Sequence, residues 1–203
     1  LKAGLQVCQP SSEKTTPTVH PIEHRTSVVK WCDDVPIRLR NCTFESYVSG
    51  SSEQTSFVDV MKQYADSIDQ AWLECRQIIL HGNYGCGKDH ILSAISKVAL
   101  GKGYSVRSIN GPDFRMKLRE SMKDDNERLY CQQYINCNFL WISDPTIEDG
   151  RLTDYQRDVL YRIVDQRWQA ERPTWLSINA KNKKQVEESI GGAVVDRLVH
   201  NAV

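Results

Sequence analysis

One stretch limits the possible folds more than any other. Residues 77–81, Gln77-Ile78-Ile79-Leu80-His81, are a short β-branched apolar run suited to a buried strand. Residues 91–100 are apolar at 91, 92, 94, 95, 98 and 99, the spacing of a helix face. Between them stands Gly82-Asn83-Tyr84-Gly85-Cys86-Gly87-Lys88-Asp89. This is Gly-x-x-x-x-Gly-Lys in the strand-to-helix context that a phosphate-binding loop requires. The glycines let successive backbone N–H groups turn inward around phosphate oxygens, and the following helix adds its positive end. Lys88 supplies a point charge that reaches the outer phosphates. An ordinary glycine turn would need neither the lysine nor the spacing, so the stretch reads as a nucleotide site.

The rest of the chain alternates in kind. Residues 1–36 hold four of the seven prolines (Pro10, Pro17, Pro21 and Pro36) and a Ser/Thr cluster, and they read as a flexible N-terminal arm. The folded core is expected over 37–203. Residues 57–74 carry Val60, Met61, Tyr64, Ala65, Ile68, Ala71 and Trp72 on one helical face. Strands are expected at 77–81, 104–109, 139–143 and 175–179. Helices are expected from 91 to 100, from Pro112 through Met122, from Thr153 with an inner face of Tyr155, Val159, Leu160, Ile163, Val164 and Trp168, and over 184–190. Such alternation predicts an α/β fold of βαβ units, with a mostly parallel sheet flanked by helices. Ligands of these sheets bind at the carboxyl ends of the strands, which places the chemistry just after Leu80, Ile142 and Ile178.

Composition removes several classes. Lys+Arg and Asp+Glu are 26 each, so a uniformly basic nucleic-acid binder is excluded while a local basic patch is not. No apolar run approaches the ~20 residues of a membrane span. The seven cysteines are odd in number and scattered without a Cys-x-x-Cys pair, which suits a reduced, cytoplasmic setting. His20, His24, Cys32 and Cys42 fit no common zinc spacing. Position 1 is Leu rather than Met, so the chain reads as part of a longer protein.

Two positions depart from the usual nucleotide-site pattern. The residue after the loop lysine is normally Ser or Thr, whose hydroxyl ligates Mg²⁺. Here it is Asp89, a hard oxygen ligand that either makes binding metal-dependent or weakens it. Without metal, one like-charge pair at ~4 Å costs about 4 kcal/mol at an effective dielectric near 20. Asp89 also suits the first turn of a helix simply by its dipole. The strand Phe139-Leu140-Trp141-Ile142 ends in Ser143-Asp144, where a Walker B element has two acids. In one register Ser143 replaces the metal-side acid and Asp144 activates water. In the other Asp144 holds the metal and Glu148 or Asp149 is the base. Asn179 ends the fourth strand, where it could orient water. Arg197 is either an arginine finger or a surface arginine paired with Asp196. After Arg151, the arginines Arg157, Arg162, Arg167 and Arg172 recur every five residues, a step of about 140° around a helix. They spiral and do not form a ridge, and Lys181, Lys183 and Lys184 are the better phosphate contacts for nucleic acid.

Together these residues resemble the DnaC/IstB branch of the AAA+ ATPases, nearest its bacterial helicase loaders, over about residues 44–197. The likeness includes Phe44-Glu45-Ser46-Tyr47, Gly87-Lys88-Asp89-His90, Ile163-Val164-Asp165-Gln166-Arg167, Arg172-Pro173-Thr174 and Asp196-Arg197. It stops before the sensor II region. The resemblance implies a P-loop NTPase (AAA+) fold that assembles side by side around its nucleotide. It implies ATP and Mg²⁺ as cofactors, with residues from Gly82 to His90 at the nucleotide and Asp89 and Asp144 at the metal. Asp144, Asn179 as sensor I and Arg197 as the finger would be catalytic, with hydrolysis slowed by the incomplete acid pair. Implied partners are a replicative DNA helicase, single-stranded DNA and further copies of the chain. A transposition helper and a non-hydrolysing, nucleotide-gated scaffold remain the alternatives.

Overall fold

A computed structural model describes residues 14–18, 20–123, 126–146 and 152–202. Four helices precede the sheet: α1 (Pro21–Asp34), α2 (Ile37–Arg40), α3 (Ser52–Asp66) and α4 (Ile68–Leu73). Then come β1 (Ile78–Gly82), α5 (Lys88–Gly101), β2 (Val106–Asn110), α6 (Gly111–Lys123), α7 (Glu127–Asn136) and β3 (Phe139–Ser143). The chain continues through α8 (Asp154–Gln169), β4 (Thr174–Asn179), α9 (Lys183–Ile190) and α10 (Gly192–Val199).

The four strands form one parallel sheet in the order β1-β4-β3-β2. Alternation along each strand sends side chains to two cores. Ile78, Leu80, Phe139, Trp141 and Trp175 pack against helices α1 and α3–α5. Leu140, Ile142, Leu176 and Ile178 pack against α6–α10. Both faces are thus covered, as the runs of apolar residues require. The register matters for function: Gly82 lies opposite Asn179, and Ser143 opposite Ser177, so the polar residues collect at the carboxyl edge of the sheet.

The segment expected as a loose arm is partly helical. Pro21 starts α1 in the first turn, where its missing N–H costs nothing, and Pro36 follows its end. Val28, Trp31, Cys32 and Val35 recur at helical spacing against the core. Asp34 is 4% exposed and accepts from Arg107 Nε at 2.5 Å, Arg107 Nη2 at 3.1 Å and the Ser108 backbone N–H at 3.1 Å. Ser108 lies on β2, an edge strand, so the carboxylate also satisfies an open edge donor. Asp34→Ala would leave the guanidinium and this N–H unpaired. It is expected to cost about 3 kcal/mol, read as a lowered urea midpoint with an unchanged m-value.

Other differences have local causes. The single helix expected over 57–74 is two, divided at Ser67, whose hydroxyl bonds the Gln63 carbonyl at 2.7 Å. The α3 helix starts earlier than expected, capped by Ser51 on the Gln54 N–H. On α8, a Thr153–Gln156 capping box is present, but Tyr155 is exposed and Trp168 half-buried, so neither faces fully inward. Gln156 and Arg167 do, beside Val159, Leu160, Ile163 and Val164.

Arg167 is fully buried. Its guanidinium donates to the carbonyls of Tyr134 (2.7 Å), Cys137 (2.9 Å), Asn138 (3.0 Å) and Pro173 (2.6 Å), and to Thr174 Oγ1 (3.0 Å). It therefore joins the end of α7 to the starts of β3 and β4. Burial pulls its pKa below the ordinary arginine value.

Candidate nucleotide site

The loop 83–87 leaves β1 and enters α5 directly at Lys88. Gly85 and Gly87 have φ of 73° and 87°, the left-handed region that glycine enters without strain. A Cβ on Gly87 would also collide with the Tyr47 ring, whose hydroxyl donates to the Cys86 carbonyl at 2.9 Å. His90 reaches back from α5 to the Thr43 carbonyl (2.7 Å) and Ser46 Oγ (3.2 Å), and Ser93 Oγ donates to the Leu39 carbonyl (2.5 Å). Segment 39–47 is therefore fastened along the start of α5. It closes one side of a cleft of about 440 Å³ lined by Arg38, Leu39, the loop, Lys88, Asp144, Ser177 and Asn179. Tyr84, at the loop tip, is 83% exposed.

A connected polar network forms the floor. Lys88 Nζ donates to the carbonyls of Gly82 (3.1 Å) and Asn83 (2.9 Å) and to Asn179 Oδ1 (2.9 Å). The other end of the same amide, Asn179 Nδ2, donates to Asp144 Oδ2. Asn179 thus bridges the loop lysine and the strand-end acid. Asp144 has φ of 38°, unusual outside glycine, and its N–H is held by the Ser177 carbonyl at 2.7 Å. Asp89 accepts from Ser143 Oγ at 2.9 Å and from Ser177 Oγ at 2.5 Å.

The sequence-predicted residues divide accordingly. The structure brings Gly82, Asn83, Gly85, Cys86, Lys88, Asp89, Ser143, Asp144 and Asn179 together. His90 lines the cleft but spends its ring on positioning segment 43–46. Arg197 lies at the other end of the sheet: its carbonyl accepts from Gln77, which precedes β1. Its guanidinium pairs with Asp165 at 2.8 Å and Asp196 at 2.9 Å over the Trp168 ring. Glu148, Asp149 and Arg151 lie outside the described residues. The recurring arginines have separate tasks. Arg162 pairs with Glu127, Arg167 is buried, and Arg172 donates to the Ile135 carbonyl. Sequence reading gave no role to Ser177, Arg38 or Leu39, and named Tyr47 only within a family-like stretch. A serine inside the apolar strand Trp175-Leu176-Ser177-Ile178 was a signal for the first.

The carboxylates of Asp89 and Asp144 and the hydroxyls of Ser143 and Ser177 are all hard oxygen donors, and this set fits Mg²⁺. Among the described residues no three His, Cys, Asp or Glu side chains converge on a point. Phosphate oxygens and water would have to complete the shell, as is usual for Mg²⁺ at nucleotides.

Comparison with known proteins agrees with this geometry. The replicative helicase loader DnaC of Escherichia coli K12 is 26% identical over 161 residues, 78% of this chain and 63% of that protein, so the chain spans under two thirds of this relative's length. A crystal structure of the DnaC helicase loader superposes with a TM-score of 0.73 at 19% identity, covering 83% of this chain and 97% of that one. Replication initiator DnaA bound to AMPPCP and single-stranded DNA superposes with a TM-score of 0.66 at 18% identity, covering 80% and 49%. The expected P-loop AAA+ fold is therefore present. The profile of the bacterial DnaA ATPase domain matches residues 39–179, from the cleft wall at Leu39 to the bridging amide at Asn179, and the chain belongs to that family as a DnaC/IstB-like AAA+ protein.

Proposed function

We propose that the chain binds ATP in the cleft between segment 38–47 and the phosphate loop, hydrolyses it slowly, and helps place a replicative DNA helicase on single-stranded DNA in the cytoplasm. The observation that carries this reading is the continuous network Lys88–Asn179–Asp144 at the mouth of the loop. The similarity to helicase loaders and to a DnaA structure holding a nucleotide analogue and single-stranded DNA supports the choice of partners. Among the described residues no helix is long and apolar enough to cross a membrane.

Lys88 would hold the outer phosphates and Asp144 would accept the proton of the attacking water. Asn179 would keep both in register. Mg²⁺, held through Asp89, would supply charge neutralisation at the phosphates. Exposed Lys181 and Lys184, just beyond β4, would meet the DNA backbone. In assembly through the nucleotide site, Arg197 would exchange Asp165 for a neighbour's phosphates.

The test measures phosphate release and helicase capture, both with and without ATP and single-stranded DNA. Asp144→Ala is expected to lower hydrolysis about a hundredfold, and helicase should be retained only with ATP. Retention that needs ATP with no phosphate release by the wild type above background would favour the scaffold reading, whereas Asp144→Ala releasing phosphate at a measurable wild-type rate would assign the water to another carboxylate. Failure to retain helicase under every condition would refute the loader role.

A further inference from the structure

The two departures from the nucleotide-site pattern touch one another. Ser143 stands on β3 where the pattern has an acid, and Asp89 stands on α5 where it has a hydroxyl. Ser143 Oγ donates to Asp89 Oδ2 at 2.9 Å. Separately, each change looks like damage, one adding a charge beside the phosphates and one removing the metal-side carboxylate. In the folded chain they face each other across one gap.

We propose that the cation-positioning carboxylate and hydroxyl have exchanged elements, leaving a working Mg²⁺ site of reversed polarity: carboxylate from the helix, hydroxyl from the strand. This inference rests on the nucleotide-binding reading above and extends it.

Three observations support the exchange. Formal charge is unchanged, because Asp89 and Asp144 supply the two negative charges that an acidic pair on β3 would supply. The carboxylate is also held in place: Ser177 Oγ donates to its second oxygen at 2.5 Å, and Ser177 itself accepts from Trp141 Nε1 at 3.3 Å. Ser143 and Ser177 are register partners on adjacent strands, so two hydroxyls converge on Asp89 from the sheet. A carboxylate on an isolated helix turn would have no such fixed orientation. Restoring an acid at Ser143 alone would not repair this site, because it would place two carboxylates in hydrogen-bonding contact.

The experiment is a two-by-two exchange. Wild type, Asp89→Thr, Ser143→Asp and the double variant are titrated with a fluorescent ATP analogue in EDTA and across Mg²⁺ concentrations. Bound Mn²⁺ is counted by electron paramagnetic resonance, and melting temperatures report folding. Wild type should bind nucleotide more tightly as Mg²⁺ rises. Asp89→Thr should bind in EDTA at least as well as wild type but lose roughly tenfold to a hundredfold of the Mg²⁺ effect. Ser143→Asp should bind more weakly than wild type in EDTA. The double variant should recover most of the wild-type response, so that the two losses do not add. If Asp89→Thr does not fold, Asp89→Asn keeps the shape without the charge and should show the same loss. Full Mg²⁺ response in Asp89→Thr or Asp89→Asn, or a double variant with both losses summed, would overturn the exchange while leaving nucleotide binding intact. Absence of nucleotide binding in folded wild type would overturn both.

Discussion

Lys88→Ala is expected to weaken ATP and ADP binding about a hundredfold while leaving AMP binding nearly unchanged. The ammonium stands where it can reach the outer phosphates, and one charge-assisted hydrogen-bonding group there is worth about 3 kcal/mol. AMP has no outer phosphates to lose. The loop itself should survive. Lys88 bonds the neutral carbonyls of Gly82 and Asn83, while Gly87 and Tyr47 hold the turn independently. The melting temperature of the unliganded protein should therefore shift only slightly. Lys88→Arg should not restore affinity, because a planar fork cannot replace a compact charge between Asn179 and two carbonyls. Fluorescent nucleotide titration decides the matter, and equal affinities of wild type and Lys88→Ala would place the nucleotide elsewhere.

Arg167→Met is expected to destabilise the chain by about 4 kcal/mol or more, a large part of the 5–15 kcal/mol typical of a domain. Methionine matches much of the volume but removes the guanidinium from the carbonyls of Tyr134, Cys137, Asn138 and Pro173 in a dry interior, leaving Tyr134 the weak Cys137 thiol at 3.2 Å and Pro173 the Leu140 N–H at 3.3 Å. The first of these belongs to the last turn of α7, where a cation is also favoured by the helix dipole. Arg167→Lys keeps the charge with fewer, differently aimed donors and should fall between. Urea unfolding of the three proteins gives the order. A methionine variant as stable as wild type would mean that the carbonyls find other partners.

The legible parts of the sequence were those where one local signal decides. Residues 139–143 were read as a strand over the bounds observed, because Phe139, Leu140, Trp141 and Ile142 form an apolar run that ends in polar residues. The phosphate loop combines three glycines, a lysine and two flanking elements. Helix α1 was hidden because its prolines, which bracket it, were read as breakers. Helix α7 was hidden because its buried residues are Tyr130, Cys131, Tyr134 and Ile135, and its remaining positions are polar except for the exposed Leu129. The contact between Asp89 and Ser143 was not legible at all. It depends on the sheet order, which puts β4 between β1 and β3 and turns the first residues of α5 over both strand ends. Arg167 was visible as part of a family-like motif, but its burial was not, since a helix spiral of arginines says nothing about which one points inward.

The position of Arg167 has a mechanical consequence. Its acceptors are gathered at the heel of the sheet, where β3 and β4 begin, whereas Ser143, Asp144, Ser177 and Asn179 occupy the toe. A strand pinned at its root by a dehydrated guanidinium is a fixed post. Motion at the toe is then confined to the turns that leave it, and the rigid sheet serves as the frame of reference against which those turns are displaced.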